Sequence, residues 1–133
     1  ERHAERACSA ALAAVASVAA LSLELEVAVQ LRVGIHSGAA VSGCMGPARA
    51  AYGLWGEAER RADWLQRFAP SGTILASHTT LDAISKVASR VGDASVMAVH
   101  PPRQRFTFTE WKSSDANGVP PCYAVEARAR KIQ

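Results

Sequence analysis

Aromatic residues are scarce in this chain, at 6% of the total, and neither cysteines nor charges gather into clusters. The three cysteines, Cys8, Cys44 and Cys122, stand far apart with no CxxC or Cys/His grouping, which argues against a structural zinc module. An odd number of scattered thiols fits a reduced, cytoplasmic protein in which cysteine serves as a small apolar side chain. A dense basic stripe is also lacking. Fifteen basic residues against twelve acidic ones give a net charge of +3, spread thinly apart from Arg60–Arg61–Arg67 and Arg128–Arg130–Lys131. Nucleic-acid binders concentrate such charge and interleave it with aromatics, so no nucleic-acid partner is expected. No membrane-spanning stretch is expected either. The uncharged run ACSAALAAVASVAALSL, residues 7–23, falls short of the roughly 20 residues a spanning helix needs. The preceding ERHAER is mixed in charge, unlike the start of a signal peptide. Alanine is the best helix former, so this run predicts a helix over residues 2–22 lying on a sheet. Its packed stripe is expected at Leu12, Val15, Val18, Ala19 and Leu21.

What remains is the composition of a globular domain, and 133 residues suit one domain with its own core. From Leu23 to Ile35 apolar residues hold the odd positions and mostly polar ones the even, the alternation of a half-buried strand. Ser37-Gly38 reads as a turn into AAVSGCM, which predicts a β-hairpin over residues 23–46. A loop with Pro47 and the short stretch AYGLW follow. A helix over residues 57–69 comes next, closed by Pro70-Ser71-Gly72. TILAS reads as a strand and residues 78–87 as a helix. Strands are expected between residues 95 and 127, at SVMAV, RFTFTEW and CYAVEAR. This mixed order of helices and strands predicts an α+β domain.

Residues 31–84 carry a more specific pattern. LRVGIHSGAAVSGCMGPARAAYGLWGEAERRADWLQRFAPSGTILASHTTLDAI resembles the second half of a class III nucleotide cyclase catalytic domain, the adenylyl/guanylyl type. That family carries R-V-G-I-H-x-G-x-V-x-x-G-x-x-G, then Y-D-x-W-G-D-T-V-N-x-A-S-R-M, then G-x-I-x-V-S, and the overlay needs no gap. Matches include Gly34, Ile35, His36, Gly38, Gly43, Gly46, Tyr52, Trp55, Gly56, Ala62, Gly72, Ile74 and Ser77. The resemblance implies a ferredoxin-like cyclase fold, with an antiparallel-rich mixed sheet and helices on one face. It also implies head-to-tail pairing with another cyclase-type domain, as a homo- or heterodimer, around ATP or GTP. One partial domain over residues 1–133, incomplete at its N-terminus, is the expectation.

The departures bear on activity. The family's purine-selecting position falls on Gly53, which has no side chain to read a base. Its transition-state Asn falls on Arg60 and its transition-state Arg on Trp64, whose indole offers one neutral donor and no charge. Removing one donor aimed at developing charge costs about two to three orders of magnitude in rate. The family's two metal-binding aspartates lie in its earlier strands. Magnesium or manganese is therefore expected only if such strands supply the aspartates, and this chain offers no metal site. No catalytic residue is intact by this reading. Substrate contacts, where they survive, fall on Gly53, Arg60, Arg61 and Lys112, although the family's Lys-Gly-Lys-Gly motif is absent around Lys112. Arg60 and Arg61 either hold phosphate or sit in solvent, with Glu57 and Arg61 paired across one helical turn. Trp55, Trp64 and His36 are expected at an interface. The chain thus reads as a cyclase homology domain of cyclic-nucleotide signalling, inactive alone and acting as a partner half. The alternative is a non-catalytic dimerisation or nucleotide-sensing module.

Overall fold

The computed structural model describes residues 2–46, 51–90, 106–111 and 121–127. Helix α1, His3–Glu24, is followed by strands β1, Val33–Ile35, β2, Ala40–Met45, and β3, Ala51–Gly56. Then come helix α2, Glu57–Phe68, strand β4, Ile74–Ser77, helix α3, His78–Arg90, and strands β5, Phe106–Trp111, and β6, Cys122–Ala127. The expected strand at residues 95–99 and Lys112 lie outside the described residues.

The alanine-rich run makes a longer helix than expected and takes Leu23 and Glu24 into its last turn. The chain leaves it at Leu25, whose N–H bonds to the Leu21 carbonyl, and Glu26 turns with φ +54°. By length and composition α1 could cross a membrane. Its buried face is Ala4, Cys8 and Ala11, one helical stripe built into the core, with Leu12 and Val15 beside it. The stripe therefore lies nearer the N-terminus than the sequence suggested, for Ala19 and Leu21 are exposed.

The expected hairpin over residues 23–46 does not form. Only Val33–Ile35 of the alternating run is strand, and it pairs in parallel with β4, Gly34 opposite Leu75. Ser37-Gly38 leads the chain out of that sheet. β2 then pairs antiparallel with β3 in a separate two-stranded ribbon, with Gly43 opposite Gly53. The main sheet runs β1-β4-β6-β5, its other pairings antiparallel, so the sheet is mixed as expected.

Side-chain alternation splits the core in two. Ile35, Ile74, Ala76, Phe106 and Val125 meet α1 and Ile84 of α3 on one face. Leu75 and Cys122 meet Leu65 and Ala69, at the end of α2, on the other. The one-face arrangement of helices thus describes α1 and α3, while α2 covers the opposite face because Leu75 points away from its neighbours Ile74 and Ala76.

Gly34 lets α2 sit there. A Cβ on Gly34 would collide with the Ala62 carbonyl oxygen and stand 2.5 Å from the Gln66 nitrogen. A Gly34→Ala variant should lose about 2 kcal/mol or more, read as the denaturant midpoint, because the backbone of α2 must move away. Gly43→Ala, whose new Cβ would meet only the Trp55 ring at 4.0 Å, should stay within about 0.5 kcal/mol of wild type.

Candidate functional site

Side-chain parity builds the site. Gly34 and His36 share the α2-facing side of β1 and its continuation, as Leu75 and Ser77 share that side of β4. The register that sets Ile35 opposite Ala76 brings His36 beside Ser77. His36 Nδ1 lies 2.8 Å from Ser77 Oγ and 3.2 Å from Thr79 Oγ1, and the two hydroxyls are 2.9 Å apart. Ser77 Oγ also accepts the Thr80 backbone N–H at 3.4 Å across the first turn of α3. The buried Thr80 hydroxyl lies 3.1 Å from Ser77 Oγ and donates to the Ile35 carbonyl at 3.4 Å, tying β1 to α3.

Burial lowers the His36 pKa below its ordinary value, and the positive charge of Arg61 lowers it further while Glu57 opposes. The uncharged imidazole is thereby favoured, with Nδ1 facing the Ser77 and Thr79 hydroxyls. A Ser–His contact suggests nucleophilic chemistry, but Ser77 sits at the start of α3 among three other polar groups. Among the described residues no carboxylate bonds the second ring nitrogen of His36, so the group that orients a catalytic base is missing. The network is a structural junction. Cysteine chemistry is equally unsupported at Cys8, whose thiol burial pushes up to about 11, and at Cys122, also raised by burial.

Beside the junction opens a cleft of about 120 Å³. Trp64, Leu65 and Pro121 form its apolar wall, and His36, Arg61, Ser77, His78 and Thr79 its polar edge. Trp64 packs into the core cluster of Leu65, Leu75 and Cys122, its ring 4.5 Å from that of Phe68. The structure therefore brings together Arg61, Trp64 and His36 from the residues singled out in the sequence. Arg60, one position from Arg61, is exposed and does not line the cleft. Arg61 Nε meets Glu57 at 2.9 Å, an exposed pair worth little to stability.

Gly53 and Trp55 lie apart from the cleft on the ribbon. Two residues apart on one strand, they share a face, and the Trp55 indole occupies the space a Gly53 Cβ would take. Any larger residue at 53 must displace that ring. Among the described residues no three His, Cys, Asp or Glu side chains converge to hold a metal ion, so this donor set does not fit the magnesium or manganese that the resemblance raises. Thr79 and Thr80 were not singled out from sequence. The signal was present, since Ser77-His78-Thr79-Thr80 at the end of a strand puts hydroxyls where a helix starts.

Fold and motif together define a nucleotide-cyclase type of domain. The family model for the adenylate and guanylate cyclase catalytic domain matches residues 1–110, and the chain belongs to that family. Among solved structures it is similar to the adenylyl cyclase CyaB from P. aeruginosa, with TM-score 0.61 and 19% identity over 100% of this chain and 65% of that one. It is also similar to the guanylate cyclase domain of RhGC from Catenaria anguillulae, in complex with GTP, with TM-score 0.52 and 21% identity over 74% of this chain. The present chain spans 45% of the RhGC chain, and identities this low show the shared fold alone. No curated protein matches the sequence.

The lowered pKa of His36 makes stability depend on pH. Below about pH 6.5 the unfolded chain binds a proton that the folded chain resists, so stability falls as pH drops below that value. Equilibrium unfolding between pH 8 and 5 should show this decline, and His36→Gln should flatten it while losing part of the network's stability at neutral pH.

Proposed function

We propose that this domain is the catalytically degenerate half of a cyclase pair, acting in intracellular cyclic-nucleotide signalling through a partner that supplies the missing Asn and Arg. The observation that carries this reading is Trp64. Where the family pattern has the transition-state Arg, this chain has an indole packed against Leu65, Leu75 and Phe68. Such a side chain brings no charge to a phosphate and packs along the edge of the core. Arg60, in place of the Asn, is cationic where the pattern calls for a neutral amide. Gly53 gives a purine no hydrogen-bonding partner.

The ribbon β2–β3 supports pairing. Val41, Met45, Tyr52 and Leu54 are 70%, 61%, 69% and 56% exposed, and Trp55 is 41% exposed. In the observed register Val41, Met45 and Trp55 share one face while Tyr52 and Leu54 share the other. Aromatic and aliphatic side chains grouped this way suit a protein partner better than water. No step is assigned to a metal on this chain, because its described donors do not fit one. A second reading, a dimerising or nucleotide-sensing module that never supports turnover, draws on the same residues.

Assay of cyclic nucleotide formation separates the two. Alone, with Mn-ATP or Mn-GTP, the chain should give no product above background. Mixed with a cyclase-type domain that carries the Asn and Arg, it should raise product formation if it is a partner half. Failure with every such domain, despite complex formation, would leave the non-catalytic module.

A further inference from the structure

The cleft between α2 and the start of α3 is too small for the nucleotide that the family handles. Pockets that enclose drug-sized ligands run to about 300–1,000 Å³, whereas this one holds about 120 Å³. An engineered apolar cavity of about 150 Å³ takes a benzene molecule, so the space suits a single ring. Its walls agree with that size. Trp64, Leu65 and Pro121 offer apolar surface to a flat ring, and the indole favours an aromatic neighbour in an offset or tilted arrangement.

The polar edge selects further. Among the described residues no carboxylate lines the cleft, while Arg61 stands at its rim and the Ser77 and Thr79 hydroxyls lie along one side. Arg61 engages Glu57 through Nε, and a guanidinium has five N–H donors in all. An uncharged hydrocarbon would desolvate these groups without compensating them. A small inorganic anion would leave the apolar wall uncovered.

We propose that this cleft binds a single-ring organic anion, an aromatic or heteroaromatic carboxylate, with its ring against Trp64, Leu65 and Pro121 and its carboxylate on Arg61. The site does not depend on the cyclase-partner reading, since it rests on the apolar surface of Trp64 and the cation beside it and not on what a partner domain supplies. A negative result on mixing domains leaves it intact.

Benzoate is the probe, with benzyl alcohol as the uncharged ring and acetate as the anion without a ring. Titration of the isotope-labelled chain, followed by amide and indole N–H resonances, should show benzoate binding with a dissociation constant of about 1 mM or tighter. The shifts should centre on Ser77, Thr79 and the Trp64 indole. Acetate and benzyl alcohol should each bind at least about tenfold more weakly. Arg61→Met should weaken benzoate about tenfold and leave benzyl alcohol unchanged, its spectrum reporting an intact fold. Arg60→Met, outside the cleft, should leave benzoate binding as it is. The proposal is overturned if benzoate binds no better than either control, if its shifts map elsewhere, or if the Arg60 and Arg61 variants weaken it equally.

Discussion

At Gly34 a strand and a helix touch backbone to backbone. The absent side chain lets the α2 backbone at Ala62 and Gln66 close on β1 to a distance no Cβ would allow. That approach sets the height of α2 over the sheet and carries Leu65 down onto Leu75 and Cys122. It also fixes how near Arg61 and Trp64 come to the strand ends. A helix held farther out would leave Leu75, which is fully buried, exposed to water along one side. The cleft would become an open groove.

From that contact the arrangement follows by parity. Gly34 and His36 are two residues apart, as are Leu75 and Ser77, and each pair faces α2. Parallel pairing of β1 with β4 places the two pairs side by side, so the small residue that admits the helix leads to the histidine that meets Ser77. Ser77 ends one element and Thr80 lies in the first turn of the next. Their hydroxyls hold strand, helix and imidazole in one network. Holding His36 neutral costs nothing extra here, because burial and Arg61 both favour the uncharged ring.

Much of this was legible in the sequence, and what was not has a physical reason. The helices announced themselves through alanine content and the spacing of Ala58, Ala62 and Leu65. The glycine and tryptophan motif carried the family and with it the mixed α+β class. Pairing was the failure. The alternation from Leu23 to Ile35 looks like one long strand, but the end of a strongly helical run captured its first two residues, and only three others found a partner. That partner, β4, lies about 40 residues on, and parallel pairing across such a distance leaves no local mark such as a hairpin turn. Ser37-Gly38 was a real break that pointed to the wrong neighbour. The face on which α2 packs was equally hidden, since it depends on which of Ile74 and Leu75 points up. At the site, Arg60 and Arg61 looked equivalent in sequence. Their separation by one residue on a helix turned Arg61 to the cleft and left Arg60 in solvent.

The same helical geometry accounts for an indole at position 64. Glu57, Arg61, Trp64 and Phe68 follow one another at spacings of four, three and four, a row beside the buried stripe of α2. An arginine at 64 would need a charged partner or water at that flank. Tryptophan needs neither: it continues the core outward from Leu65 and packs, tilted, against Phe68. Position 64 thus serves packing in this fold, and Arg61 lines the pocket that the indole walls. An arginine at 64 would remove that wall and expose the edge of the cluster around Leu75 and Cys122. A charge placed at 64 would then demand repacking of the α2 face, which ties that face and the cleft to one side chain.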